Sequence, residues 1–280
     1  MAHCTPSSGE GIRSAIATEA DSVIVQGHHQ QDAARNDRAM YVGCAGWSLA
    51  REYWPQFVEH GTHLERYATR MGAVEINSSF YRAHRPATYA KWAASVGKDF
   101  RFSVKVPKAI THELRLQNCS GVLDAFLSEC GALGDRLGCL LIQLPPSLAF
   151  DPVIARPFFE QLRTRYSGYV VIEPRHESWV QAEPLLIDHC IAQAAVDPSR
   201  ISNDRTPAGW QGLRYWRLHG APRIYYSAYG PDWLEQRARE IASTSSDGVA
   251  IWCIFDNTAQ GAAVGNALSM MALLKKLGTA

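Results

Sequence analysis

The stretch Leu213-Arg-Tyr-Trp-Arg-Leu-His-Gly220 alternates large apolar residues with polar ones in a way a surface strand does not need. Strand side chains point to opposite faces with period two. Tyr215, Arg217 and His219 therefore share one face, and Trp216 and Leu218 share the other. The apolar face suits a layer of covering helices, so the polar face must line an interior. A parallel sheet closed into a barrel supplies such an interior.

Working outward from this stretch, apolar or β-branched runs predict strands at 41–45, 73–77, 100–106, 139–144, 169–173, 194–197, 213–219 and 249–256. Segments of helical length separate most of them, at 62–71, 88–96, 122–133, 154–165, 183–193, 232–243 and 261–277. Leu64, Tyr67, Ala68 and Met71 recur at the i, i+3, i+4, i+7 spacing of one helix face. Leu185, Leu186, His189, Cys190 and Gln193 keep a similar face. Eight alternations without a break in composition favour an α/β (β/α)8 barrel, a TIM barrel, over an open doubly wound sheet. No G-x-G-x-x-G follows the first run and no G-x-x-x-x-G-K-[ST] occurs, so nucleotide folds built on those loops lose support.

Residues 1–38 are rich in Ser, Gly, Gln, Ala and acidic groups, with one apolar patch at Val23-Ile24-Val25. Without a sustained period they are expected to form a flexible or loosely docked tail, followed by a single barrel domain over 39–280. At 280 residues and 46% hydrophobic content the chain can bury a large core without disulfides. Its seven cysteines are odd in number and lack CxxC spacing, so they are expected as reduced thiols of a cytoplasmic protein. No run is long enough for a membrane span, and a membrane partner is not expected. A net charge of +1 shows no global basic field, so nucleic acid is not the favoured partner.

In this fold, chemistry sits where the strands end. The ends here present Trp47, Glu75, Asn77, Tyr81, Lys105, His112, Gln143, Glu173, Arg175, Trp179, Asp197, Arg217, His219, Asp256 and Asn257. Parity puts Glu75 with Asn77, Ser103 with Lys105, and Glu173 with Arg175 on inward faces. Three cations, two or three carboxylates and an imidazole would converge on one mouth.

The order of these ends resembles the YecE-like family, a domain of unknown function numbered seventy-two. The resemblance rests on Val42-Gly-Cys-Ala-Gly-Trp-Ser48, Val74-Glu-Ile-Asn-Ser-Ser-Phe-Tyr-Arg82, Phe102-Ser-Val-Lys-Val-Pro107 and Ile110-Thr-His112. It continues through Gln143-Leu-Pro-Pro146, Glu173-Pro-Arg-His-Glu-Ser-Trp179, Arg217-Leu-His-Gly220 and Phe255-Asp-Asn257. It implies a TIM barrel and a family without an established reaction, distantly similar to metal-binding sugar isomerase and endonuclease barrels. Cys44 stands where a hydroxyl or small residue is expected, and 49–55 is longer than the usual link.

Glu173, His219 and Lys105 are the expected catalytic groups, with Glu173 and His219 as an acid/base pair. Arg175 and Arg217 are expected to hold an anion beside Lys105, so that Arg217→Met would abolish anion binding while the fold survives. Their bland reading is as barrel braces, since interior Arg–Glu pairs are a common structural device. Glu75, Asn77, His112, Gln143, Asp256 and Asn257 are expected around the substrate, although Glu75, His112 and Asn257 could equally cap loops. Trp47, Tyr81, Trp179 and Tyr229 are expected to form an aromatic wall. Cys44 reads as packing in a tight turn rather than as a nucleophile. Glu75, Glu173, Asp197, His219 and Asp256 are ligand types for a divalent metal, but the nearby cations would repel one, so no cofactor is expected. Three readings follow: an enzyme of hydrolase, lyase or isomerase class acting on a small anionic, sugar-like compound; an endonuclease-like or nucleic-acid-binding barrel; and a non-catalytic ligand- or protein-binding barrel. The near-neutral charge places the first ahead. The oligomeric state is not legible.

Overall fold

The computed structural model describes residues 40–245 and 248–279; the expected tail lies outside the described residues. Ten strands run in chain order: β1 Met40–Ala45, β2 Ala73–Ile76, β3 Arg101–Lys105, β4 Leu137–Gln143, β5 Tyr169–Glu173, β6 Ile191–Gln193, β7 Ala195–Asp197, β8 Ala208–Gly209, β9 Leu213–Leu218 and β10 Ala250–Phe255. Parallel pairing runs β9–β10–β1–β2–β3–β4–β5–β6, and β7 pairs parallel with β9. Since β6 and β7 are separated only by Ala194, they form one bent stave whose first half pairs β5 and whose second half pairs β9. The ring therefore closes with eight staves, as the TIM-barrel reading requires.

The helices are α1 His63–Ala68, α2 Ser78–Tyr81, α3 Pro86–Ala94, α4 Ser120–Cys130, α5 Pro152–Arg163, α6 Glu183–Asp188, α7 Pro231–Ser243 and α8 Ala262–Lys276. Local sequence sets their starts. Thr62 accepts from the Glu65 amide at 3.3 Å while Glu65 accepts from the Thr62 amide at 2.6 Å, a capping box ahead of α1. Asp151 accepts from the Val153 amide at 2.8 Å, and Pro152 occupies the first turn of α5, where its missing N–H costs nothing.

Two buried clusters follow from strand parity. Val42, Val74, Phe102, Leu140, Val170, Trp216, Leu218 and Phe255 face outward and pack with the helices. Ala45, Ala73, Cys139, Leu141, Val171, Tyr215, Trp252 and Ile254 fill the barrel interior. Gly43 lies where β1 and β2 approach most closely; a Cβ there would stand 2.0 Å from the Ala73 carbonyl oxygen. The Tyr67 hydroxyl bridges that junction, donating to Ala73 O and accepting from the Cys44 amide, both at 2.8 Å.

Two expectations are corrected. The helix expected over 183–193 stops at Asp188, because Cys190 adopts a left-handed φ of 53° and turns the chain into β6. The strand expected at 194–197 begins earlier, at Ile191, and bends at Ala194. The link at 49–55 folds partly into a tight helical turn, Arg51–Gln56, over which the Trp54 indole donates to Leu49 O at 3.0 Å. Among the described residues, no helix is long and apolar enough to cross a membrane.

Candidate active site at the barrel mouth

The alternation of β9 sends Tyr215 and Arg217 inward, and Arg217 reaches the level where several strands end. Its guanidinium is fully buried and binds three carboxylates. Nε and Nη2 donate to Glu75 Oε2 and Oε1 at 2.9 and 2.6 Å, a two-pronged grip. Nη1 donates to Glu173 Oε2 at 2.6 Å, and Nη2 also donates to Asp256 Oδ2 at 3.0 Å. Below this hub, the Tyr215 hydroxyl donates to Glu75 Oε2 at 3.0 Å and lies equally close to Ser103 Oγ, which accepts from Cys139 Sγ. Register explains this contact set, because Glu75, Ser103 and Cys139 are direct neighbours on β2, β3 and β4.

Glu173 is buried and surrounded by donors. Gln143, its register partner on β4, donates from Nε2 to Oε1 at 2.8 Å, and Arg175 Nε donates to the same oxygen at 3.0 Å. Burial alone would raise its pKa, but Arg217, then His219 and Arg175, hold the carboxyl well below the usual carboxylate range. Asp256 is lowered in the same way: burial works against it, and Arg217 and His219 outweigh burial. The His219 ring sits between the two acids, with Nδ1 2.9 Å from Asp256 Oδ2 and Nε2 3.5 Å from Glu173 Oε1. Burial disfavours its charge, yet Glu173 and Asp256 prevail and raise its pKa, which favours the imidazolium.

Lys105 differs from its neighbours. The side chain is 6% exposed and its Nζ lies 4.2 Å from the centre of the Phe80 ring, a cation–π contact. Among the described residues its ammonium has no ion pair, because Arg217 has already engaged Glu75, Glu173 and Asp256. Burial first, and the Arg217 charge second, push its pKa from 10.5 down to about 8. Arg175, 16% exposed at its side chain, uses Nε on Glu173 and touches the Tyr225 hydroxyl from Nη2 at 3.4 Å. His112 lies in a single wide turn, Ala109–Glu113, against Phe80; burial, then Lys105 and Arg175, lower its pKa. Asn77 donates to Asp256 Oδ1 at 3.4 Å. Its own Oδ1 is buried without a hydrogen-bond partner among the described residues, as is His219 Nε2, whose neighbour Glu173 is at ion-pair distance only.

A family model described as "Protein of unknown function DUF72" matches residues 41–280. The chain belongs to the DUF72 family. It is 34% identical over 107 residues to the UPF0759 protein YecE of Escherichia coli K12, a match spanning 38% of this chain and 38% of that relative's length. With the UPF0759 protein YunF of Bacillus subtilis 168, identity is 22% over 84% of this chain and 94% of the relative. Crystal structures of DUF72 family proteins share the fold. The one from Enterococcus faecalis V583 has a TM-score of 0.72 at 21% identity, covering 84% of this chain and 95% of that one. The one from Thermotoga maritima MSB8 has a TM-score of 0.70 at 25% identity, covering 85% and 99%.

The DUF72 barrel brings Glu75, Asn77, Lys105, His112, Gln143, Glu173, Arg175, Arg217, His219 and Asp256 of the expected set to one mouth. Others lie elsewhere, and the expected aromatic wall does not form. Trp179 is buried in the outer layer, donating to Leu148 O at 2.9 Å and packing on Phe150. Trp47 packs edge-on against Trp92. Tyr229 stacks on Trp233, and its hydroxyl binds Asp197 Oδ1 at 2.8 Å while accepting from the Gly220 amide. Tyr81 is at the rim, 71% exposed, beside Phe80. The Asn257 amide secures a loop through Ser227 O and Asn266 Oδ1. The Cys44 thiol is buried, and burial pushes its pKa up to about 12, which makes it inert.

Two site residues were missed. Phe80 carries Lys105 and His112 on its ring, and Tyr225 covers His219 edge-on at 5.5 Å while touching Arg175. Phe80 lies within the motif that ends β2; Tyr225 gives no signal, since its position depends on a left-handed φ of 69°. Arg217 also corrects its expected role, because it is fully buried and four of its five N–H groups already donate to three carboxylates, which disfavours its use on an anion. The same hub bears on the metal. Glu75, Glu173 and Asp256 converge on the guanidinium, so the donor set does not fit a divalent ion. Among the described residues, no three His, Cys, Asp or Glu side chains are grouped to hold one. A groove of about 570 Å3 between α7, α8 and Tyr53 carries none of the mouth's cations.

Proposed function

We propose that this DUF72 protein is an enzyme acting by proton transfer on a small anionic, sugar-like substrate, phosphorylated or carboxylated, at the C-terminal mouth of the barrel. The observation that carries this reading is a buried lysine with no ion pair among the described residues, at the same mouth as an arginine that keeps part of its guanidinium free. Arg175 holds the anion, and Glu173 fixes Arg175 through its Nε. Lys105, with a pKa of about 8, exchanges a proton with the substrate near neutral pH. Glu173 serves as a fixed negative charge rather than as the base, because its oxygens already accept from Gln143, Arg175 and Arg217. His219, sealed under Tyr225, balances the charge of Asp256 and Glu173; it reaches substrate only when Tyr225 moves. The hub does the work a metal would otherwise do in holding three acids together, so no cofactor is assigned. The six cysteines among the described residues are all free, which supports a cytoplasmic setting.

Phosphate or sulfate titrated into the wild-type protein should raise the melting temperature saturably, and Arg175→Ala should remove most of the rise. A wild-type melting temperature indifferent to both anions would sink the reading.

A further inference from the structure

We infer that Lys105 is a carbonyl-reactive amine, and that the substrate of this mouth is an aldehyde or ketone bearing a carboxylate or phosphate. This rests on the anion-binding reading above and goes beyond it by naming the reacting group. The chain has six lysines, at 91, 98, 105, 108, 275 and 276, and five of them are exposed. Only Lys105 is buried, at the end of a barrel strand, and among the described residues its amine has no carboxylate within ion-pair distance, the three nearest being held by Arg217. A lysine serving only the fold would be expected to take one of the three carboxylates beside it, because an unpaired buried charge costs stability. Here Arg217 binds all three, and the amine is left against the Phe80 face.

That arrangement suits nucleophilic addition. With a pKa of about 8, about a tenth of the lysine is free amine at neutral pH, against less than about a thousandth for an ordinary lysine. The neutral Nζ adds to the carbonyl carbon; the C–N bond forms as the C=O π pair moves to oxygen, which takes up a proton. Nitrogen then gives up a proton. His112 can receive it, since its ring and the Lys105 amine pack on the same Phe80 side chain. The carbinolamine hydroxyl takes a proton back from His112 and leaves as water while the C=N bond forms, so the carbonyl, the amine and one proton from solvent yield an iminium cation and water, with no oxidant or reductant. The iminium cation sits in the field of Glu75, Glu173 and Asp256, the same charges that favour the ammonium. It draws electrons from the adjacent carbon, so the reactions open to this site are proton loss or carbon–carbon cleavage next to the former carbonyl. Arg175, across the mouth on the β5 side, takes the anionic group.

The test uses the full chain with two small probes, glyoxylate and glycolaldehyde phosphate, each followed by borohydride and peptide mass mapping. The expected result is a stable adduct at Lys105 ahead of the five exposed lysines, saturable in probe and lost in Lys105→Arg. Glycolaldehyde phosphate should label at least about tenfold better than glycolaldehyde, and Arg175→Ala should erase that preference. Labelling spread over the exposed lysines with Lys105 no more reactive than they are overturns the inference. The phosphate melting titration separates the two ideas. A saturable rise without a Lys105 adduct overturns the carbonyl chemistry and leaves the anion site standing. A Lys105 adduct without any anion effect supports the amine and overturns the anion site.

Discussion

Tyr215 and Arg217 sit two residues apart on one strand and point into the same barrel, yet they end in different surroundings. Tyr215 belongs to the lower interior, where Cys139, Leu141, Val171 and Trp252 pack around it; its ring stacks on Trp252 at 5.9 Å and only its hydroxyl reaches up to Glu75. Arg217 belongs to the upper interior, where three acids, an imidazole and a second guanidinium surround it. The lower level is what a stable barrel needs. The upper level buries charges that neutral packing could often replace at no loss of stability, and the proposed function rests on that excess. Within that upper level the contrast repeats: Arg217 spends four of its five N–H groups on acids, and Lys105 pairs with none among the described residues.

The largest expected effect breaks the paired half. Arg217→Met leaves Glu75, Glu173 and Asp256 buried without their common counter-charge, which should cost at least about 3–5 kcal/mol by urea denaturation. This reverses the expectation, drawn from sequence, that the fold would survive the change. Arg217→Lys should not rescue it, because an ammonium cannot span three acids.

The other half should respond with the opposite sign. Lys105→Met removes a buried charge that has no ion pair among the described residues, so the variant should be more stable by about 1–3 kcal/mol near neutral pH. A destabilised Lys105→Met would mean the ammonium has a stabilising partner and would end the contrast. The pH dependence sharpens this. Folded Lys105 releases its proton near pH 8. The unfolded chain keeps its lysine protons to about 10.4, so this group's contribution to stability rises between those values. The advantage of Lys105→Met should therefore shrink as pH is raised through that window. Glu173 and Asp256 act at the other end: their pKa values are lowered, so their stabilisation is present above the unfolded value near 4 and is lost as pH falls through the folded values. His219, raised, stabilises below its unfolded value near 6.5 and ceases to as pH climbs through its folded one.

Two smaller changes probe the boundary between the levels and the rim. Tyr215→Phe removes one donor from Glu75 while Arg217 still grips both carboxylate oxygens, so about 1.5–3 kcal/mol at most should be lost in thermal or urea unfolding. A loss as large as that of Arg217→Met would show the two levels to be one cooperative network. Arg175→Ala should cost under about 1 kcal/mol, since Glu173 keeps Arg217 and Gln143, although ligand stabilisation by phosphate should largely vanish.

Much of this was legible in the chain. Period-two alternation in 213–219 placed Tyr215 and Arg217 inside because an apolar helix layer had to cover Trp216 and Leu218. The same parity put Glu75, Lys105 and Glu173 at the mouth. It could not say which cation would take the acids, because that depends on reach and register across strands far apart in sequence. Nor could it sort the aromatics: Trp179 and Tyr229 follow strand ends just as Phe80 does, but their loops fold back onto the helices, where indole and phenol find backbone or carboxylate partners. The bend at Ala194 was hidden because Gln193 continues the helical spacing of Leu185 and Leu186, while the left-handed turn at Cys190 has no sequence mark of its own.

The difference between an arginine held by three acids and a lysine with no ion pair among the described residues is most directly measured on the lysine itself. Trace acetic anhydride, applied from neutral to alkaline pH and quantified by mass spectrometry at each of the six lysines, reports the titration of each amine. The account predicts that Lys105 acquires reactivity with a midpoint near pH 8, well ahead of the exposed lysines. A Lys105 midpoint at the ordinary lysine value of about 10.4, or above it, would show the amine to be paired in solution and would contradict the account.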